Sequence, residues 1–492
     1  MTEFEEWGEQ IESQNLYLKH YQLVTCASIV ILMQLGFTFL EVGSVRVQFT
    51  KSILMKNMMD MIFSALVYFS IGFGFAFGNG TPTGGFMGTS NFFLVSNENV
   101  SDIHHSPAGW MYHWSFCATS ATIVAGAIAE RTQFVAYGVY SIVGSSVLYP
   151  VISHWIWSDT GWASRANPES VISPVLDDAG GIAVHTSAGI CSLVACYFVG
   201  PRQHRLDSKG NLVSDLPRQN QAFIVFGMLV LWFSWYAFNA GTAILEAGNH
   251  ESLMGNIAAY TTVCTASSGA LYLVLHMLLR KKLPEPSDLC NGILGGLVCS
   301  TSGCSVIQPY YGSSFIILFF LAGSSFMILL FLVGSSFMIL LFFVGSSFMI
   351  ISFFVGSSFM ILLFFVGSSF IILSFIPFLL GGIVVMVPYF PLIANSIVFT
   401  FSQPQIKKIS LQSHCNFTTI SQQSQYNLNT ISQPGIIIGS VGGAVVMAIS
   451  KLLTKLKIDD VVDAVAVHLG CGVWSAISAP LFSDTHHNTN SG

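Results

Sequence analysis

Two stretches of the chain place a carboxylate eight residues ahead of an imidazole. Residues 177–185 read DDAGGIAVH and residues 459–468 read DDVVDAVAVH, which pairs Asp177 with His185 and Asp460 with His468. Eight residues of helix rise about 12 Å, so a histidine at that distance from a helix end reaches the centre of a bilayer. Ionisable groups at that depth are costly and mark conduction paths. The plainer reading of one such histidine is a packing residue bonded to a neighbour's carbonyl. A haem or metal site is a further alternative, but two histidines without additional ligands are a weak signal for either.

The elements that must hold these residues are membrane helices. Of the 492 residues 52% are hydrophobic and only 9% charged, against about 25% charged in a soluble domain. Apolar runs of ~20 residues recur along most of the length, the pattern of a polytopic helical membrane protein. A formal charge of −6 with no basic face excludes nucleic acid as a partner. The ten cysteines are scattered without CxxC or metal-type spacing. They read as packing residues, and no metal or cofactor is expected. The opening MTEFEEWGEQIESQN lacks the basic segment of a signal peptide, so the first apolar run is itself a membrane helix.

Ten such runs occur, at roughly 21–43, 53–78, 110–129, 134–157, 178–200, 221–245, 254–280, 288–309, 436–457 and 460–483. With the N-terminus outside, fourteen of the eighteen Lys and Arg fall on the inner side, Lys56 among them; Lys19, Arg165, Lys407 and Lys408 are the exceptions. That asymmetry is what the positive-inside rule requires. The sequons at Asn99 and Asn416 then lie outside. The fifth helix runs inward and the tenth outward, so Asp177 sits at an outer end and Asp460 at an inner end. Equivalent elements in opposite orientation are the mark of an inverted repeat, with the functional site at its centre.

One region breaks the pattern. Gly312, Gly323, Gly334, Gly345, Gly356 and Gly367 recur every eleven residues, each opening a unit such as GSSFMILLFFV, and a polar Ser/Gln/Asn-rich stretch follows at about 402–434. Such regularity suggests tandem duplication and matches no recognised repeat family. Its apolar part has the composition either of helices, which would have to cross the membrane an even number of times, or of an aggregation-prone appendage outside it, and retained intron sequence or a gene-model error would explain both the repeat and its polar tail. The expected organisation is an extracellular segment (1–20), a first five-helix half (21–200) and a cytoplasmic loop (201–220). Helices six to eight follow (221–312), then the insertion (313–435), helices nine and ten (436–483) and a short C-terminal end (484–492).

Longer stretches carry a resemblance. LGFTFLEVGSVR (35–46), FCATSATIVAGAIAERTQFVAY (116–137), YPVISHWIWSDTGW (149–162), DDAGGIAVH, GPRQHRLD (200–207), LWFSWYAFNAG (231–241), CNGILGGLVCSTSGCSVIQP (290–309) and KIDDVVDAVAVHLGCGVW (457–474) are similar to the ammonium transporter family, the Amt/Mep/Rh superfamily, and to its Amt branch in particular. The resemblance implies an all-α membrane protein with an inverted 5+5 repeat. It implies a homotrimer in which each subunit has its own pore. At the outer mouth Phe116, Trp157 and Thr242 match the positions that gather ammonium, with Asp177 beneath them. Aromatic faces attract a cation and a hydroxyl oxygen accepts its N–H. Phe116 and Phe238 match the stacked pair that gates the pore, His185 and His468 the twin histidines that line it, and Asp460 a structural position at the inner mouth.

The implied function is an ammonium transporter or channel of the plasma membrane, not an enzyme, with methylammonium as an analogue substrate. A receptor-like ammonium sensor with little or no transport is the alternative, and a membrane enzyme or electron carrier with the histidines as cofactor ligands a third. The sequence departs from the family in several places. Thr242 stands for the usual Ser, Asp178 where Phe is frequent, and Val47, Gln48 and Phe49 replace Ser-Lys-Asn. The chain ends twenty-four residues after His468, so the family's eleventh helix is expected to be missing, and the insertion separates the eighth helix from the ninth.

Overall fold

In hydrocarbon each backbone polar group must be satisfied within its own segment, so the apolar runs are driven to helix. The computed structural model describes residues 3–95, 103–172, 175–213, 216–245, 253–307 and 434–483, together with the backbone of eight strands between 314 and 400. The sequons at Asn99 and Asn416, the polar tail of the insertion and residues 484–492 lie outside the described residues. The main body contains α1 (Glu3–Ser44), α2 (Val47–Phe77), α3 (Pro107–Ala127), α4 (Phe134–Trp157) and α5 (Gly181–Val199). It continues with α6 (Gln221–Leu245), α7 (Leu253–Arg280), α8 (Pro286–Cys299), α9 (Pro434–Lys455) and α10 (Val465–Phe482). Residues 1–20 are read from sequence as a separate extracellular segment; residues 3–20 continue α1 as helix, and residues 6–18 of it are exposed.

Among the described residues eight helices are long and apolar enough to cross a membrane; α3 and α8 are not among them. The physical reason is burial. Nearly every residue of α3 is enclosed by other helices, so its Ala, Ser, Thr and Gly never meet lipid. α8 has only 14 residues, far fewer than the run at 288–309 promised. The remainder of that run, 300–307, turns back on itself as irregular backbone. Such backbone is tolerated at membrane depth only where protein surrounds it.

The helices approach closely through small residues, as expected where no hydrophobic force drives association in lipid. α1 packs along α6, and α7 along both α8 and α9. At the α1–α6 contact a Cβ on Gly227 would lie 2.5 Å from the carbonyl oxygen of Gly36 and the amide of Leu40, so only glycine fits. Gly439 of α9 is likewise pressed on Cys264 of α7, where a Cβ would come within 2.0 Å of the carbonyl oxygen.

Residues 310–433 form a separate unit. It is an eight-stranded antiparallel sheet in simple sequential order, from β1 (Ser314–Ala322) to β8 (Val398–Thr400). The repeat sets the register, placing Phe343 opposite Phe348 and Phe365 opposite Phe370. Sequence composition left crossing helices and an aggregation-prone appendage both open here, and the structure has strands. Between successive glycines only about ten residues are available, half of the ~20 a spanning helix needs, while Phe, Ile and Val favour the strand. Because the two units are distinct, deleting residues 313–433 is expected to leave the helical body folded. Monodisperse size-exclusion behaviour and an unchanged melting midpoint of the purified deletion protein check this; aggregation of a correctly inserted deletion protein would contradict it.

Candidate functional site

A cavity of about 580 Å³ opens on one face of the helical body, walled by His104, His113, Phe116, Trp157, Asp177 and Thr242, with Arg165 and Asp178 at its edge. The four residues that sequence assigned to the mouth therefore share one wall. Trp157 ends α4 and donates its indole N–H to the Asp177 carbonyl at 2.6 Å, which fixes the ring over the cavity. The Phe116 ring meets it edge-on at 6.0 Å. Thr242 donates its hydroxyl hydrogen to the Asn239 carbonyl at 2.7 Å, leaving the oxygen lone pairs as acceptors.

Directly beneath, Phe116 of α3 and Phe238 of α6 stack at 3.9 Å between centroids and 8° between planes, both fully buried. Past this pair lie His185 and His468. Their Nδ1 atoms are 3.2 Å apart and the rings are nearly parallel at 21°. Trp235 stacks on His185 at 5.0 Å, and Phe37 lies 6.4 Å from His468. At that separation the two Nδ1 atoms hold one proton between them. One ring then presents a bare Nε2 and the other an Nε2–H, so the pair offers a single acceptor and a single donor. His185 Nε2 has no hydrogen-bond partner in the protein.

Each histidine lies inside a wide, π-helical turn, Gly181–Thr186 at the start of α5 and Val465–Gly470 at the start of α10. Turns of this kind concentrate at functional sites. A carboxylate sits at the head of each. Asp177 Oδ2 accepts the backbone N–H groups of Ile182 and Ala183, both at 2.9 Å, and Oδ1 accepts the Ser302 hydroxyl at 2.9 Å. Its oxygens face protein donors, so it holds the backbone at the head of α5. Burial pushes its carboxyl up to about 6, against the lowering effect of those three donors. Asp460 accepts the Val465 N–H at 2.7 Å and lines a second cavity of about 580 Å³ at the opposite end, with Asp463, Lys451, Arg218, Arg280 and His276.

Three features were beyond sequence reasoning. Ser302 and Ser305, from the turns after α8, bind the aspartate pair across more than a hundred residues. Asp178 looks dispensable because the family tolerates Phe there, yet its side chain is 1% exposed. It accepts the Ser305 amide at 2.9 Å and hydroxyl at 2.6 Å, and lies 3.5 Å from Arg165. Asp459 is the third. Its carboxylate takes Arg131 Nη1 at 3.0 Å, Arg202 Nε at 2.8 Å and Nη2 at 3.0 Å, and Arg205 Nε at 3.1 Å. Arg46 and Glu130 extend this knot at 2.7 Å. Burial alone would raise the Asp459 carboxyl, but Arg202, with Arg131, holds it at about 2. The spacing of charged pairs such as Glu130–Arg131 gave no hint of their common partner.

Among the described residues no group of three or more His, Cys, Asp or Glu could hold a metal ion.

Comparison with known proteins gives the chain its relatives. A model described as the Ammonium Transporter Family matches residues 21–324 and 430–492. Ammonium transporter 1 member 3 of Solanum lycopersicum is 38% identical over 296 residues, 58% of this chain and 63% of that protein. Ammonium transporter Amt2 of Archaeoglobus fulgidus is 37% identical over 303 residues, 61% of this chain and 62% of its own length. The chain thus spans less than two thirds of these relatives. Among solved structures a Sensor Amt Protein superposes with a TM-score of 0.64 at 22% identity, covering 97% of this chain and 85% of that one. Candida albicans Mep2 does so at 0.61 and 19%, covering 95% and 73%. At these identities the structures establish the fold alone.

Removing Asp459 as Asp459→Ala leaves three guanidinium groups without their counter-ion and is expected to cost ~3–5 kcal/mol. A fall in the melting midpoint of the detergent-purified protein would show it. Because the native carboxyl titrates below its ordinary value of about 3.9, its stabilisation is complete above that pH and fades as pH falls toward 2. The midpoint gap between wild type and variant should therefore narrow only in strong acid.

Proposed function

The chain belongs to the ammonium transporter family, and from that premise we propose that it carries ammonium across the plasma membrane as ammonia, through a pore closed by Phe116 and Phe238 and lined by His185 and His468. The observation that carries the reading is the vertical order of environments. An aromatic and hydroxyl-lined cavity stands above a stacked phenylalanine pair, which stands above two imidazoles sharing one proton. Ammonium entering the cavity meets the π faces of Trp157 and Phe116 and the lone pairs of Thr242, under the negative field of Asp177. At the phenylalanine pair the cation has no replacement for its shell. One N–H bond breaks, the proton remains on the outer side or follows separately, and neutral NH₃ continues. The imidazole pair then gives ammonia one donor and one acceptor, and on the inner side ammonia regains a proton from water. Na⁺ and K⁺ fail at the apolar step because they have no neutral form to adopt.

The same premise supports a homotrimer, a membrane orientation with the N-terminus outside, and an inverted 5+5 arrangement in which α1 faces α6 and α5 faces α10. The charge asymmetry of the chain supports the orientation, and the contacts between those helix pairs support the arrangement.

Expression in a microbe that lacks its own ammonium uptake should restore growth on low ammonium and accumulation of labelled methylammonium. Trp157→Leu should raise the KM for methylammonium roughly 2–30-fold, the equivalent of ~0.5–2 kcal/mol of cation–π attraction. His185→Ala and His468→Ala should each reduce uptake per molecule at the surface. A surface-expressed wild type that binds methylammonium without accumulating it would favour the sensor instead.

A further inference from the structure

Three ionisable side chains with no part in the pore lie together between α1, α2 and α3. Glu41, Lys56 and Asp60 are 1%, 1% and 0% exposed. Sequence placed Lys56 among the inner-side charges, but it is enclosed. Its Nζ donates to the Thr132 carbonyl at 3.0 Å and lies 5.3 Å from the centre of the Tyr137 ring. The Tyr137 hydroxyl donates to Asp60 Oδ2 at 2.5 Å, with Thr122 3.5 Å from the same oxygen. Asn57 donates to Thr38 at 3.1 Å and lies beside Glu41, which is within electrostatic reach of both Asp60 and Lys56. Arg131, the next cation within reach of Lys56, is committed to Asp459.

Four polar atoms of this cluster have no partner in the protein: Gln34 Nε2, Glu41 Oε2, Asn57 Oδ1 and Asp60 Oδ1. The charges do not balance either, since two carboxyls face one ammonium. A buried charge without a counter-ion is avoided by changing protonation, so one of the two acids must keep its proton. Asp60 receives the Tyr137 hydroxyl, which suits a carboxylate. Glu41 Oε2 receives nothing, and the Asn57 carbonyl oxygen nearby lacks a donor. A proton on Glu41 supplies that donor. The acid stands close to the conduction route. It presses on Gly126 of α3, where a Cβ would come within 3.0 Å of Oε1 and 2.8 Å of Val462, in the segment leading to α10. It is also one turn from Phe37, the neighbour of His468.

We propose that Glu41 is a buried proton-binding site flanking the inner half of the pore, neutral at physiological pH and charge-coupled to Lys56 and Asp60.

Infrared spectroscopy of the full-length protein in lipid at neutral pH tests this directly, independently of transport. The protonated carboxyl contributes a carbonyl stretch that shifts in D₂O. Glu41→Gln should remove that contribution. Asp60→Asn should remove it too, because Lys56 then needs Glu41 as its counter-ion. Lys56→Met should strengthen it, because both acids then hold protons. Other carboxyls, Asp177 among them, form a background common to all four proteins. A spectrum unchanged in Glu41→Gln, or a Glu41 contribution that persists in Asp60→Asn, overturns the proposal. Should Asp60→Asn fail to fold, Lys56→Met decides, and a band that does not grow counts against it.

Discussion

The first N–H groups of a helix have no partner within it, and those at the heads of α5 and α10 are enclosed by protein. Asp177 satisfies the first by accepting two amides and one hydroxyl, Asp460 the second through the Val465 amide. Charge-assisted bonds of this kind are worth ~1.5–3 kcal/mol each, and they also fix where each helix starts. The start fixes the wide turn that follows, and the wide turn carries the histidine. The indole of Trp157 hangs from the same loop through the Asp177 carbonyl. Trp157, Asp177 and the turn that carries His185 are thus parts of one hydrogen-bonded construction.

The second aspartate of each pair solves a different problem. Asp178 and Asp459 bring further negative charge into low dielectric, and each is enclosed by donors. Asp178 takes Ser305 and Arg165, while Asp459 takes three arginines from the connections after α3 and α5. Coulomb attraction and hydrogen bonding together must offset several kcal/mol of desolvation per ion. The geometry does so by using guanidinium forks and backbone amides rather than single long side chains. The outer lock joins the first half to the turns after α8, and the inner lock joins it to the head of α10. Both join residues before position 206 to residues after position 301, so the stacked rings between them are held from either end.

Much of this was legible in the sequence. The apolar runs located all ten helices to within a few residues at most ends, because a lipid-facing helix must be apolar over its length. The eight-residue spacing singled out Asp177 with His185 and Asp460 with His468, but not through helix rise: α5 begins only at Gly181 and α10 at Val465, so about half of each spacing is a non-helical lead-in. What failed to show were contacts whose partners come from distant connections. Nothing near Ser302 or Ser305 announces that they serve an aspartate in another helix. The run at 288–309 looks like one helix because the irregular part is as apolar as the helical part, and only burial allows it to unwind. Lys56 reads as a loop charge until its neighbours enclose it. The eleven-residue units misled differently: their composition suits either lipid or a sheet, and their length rather than their hydrophobicity decides.

In the proposed pathway, selectivity would come from subtraction. Aromatic faces and one hydroxyl are groups that bind a cation without forming a deep well. The stacked phenylalanines offer no polar partner, over a step that on this reading is prohibitive for an ion but not for a neutral molecule. The imidazoles offer one donor and one acceptor, which would suit ammonia and would not compensate a charge that arrives without its shell. One extra proton would turn one of the two rings into an imidazolium and, placed on the accepting Nδ1, would point two N–H groups at each other across 3.2 Å. The geometry therefore suits the neutral pair, which leaves the middle of the proposed pore without a fixed charge that could trap the molecule passing through it.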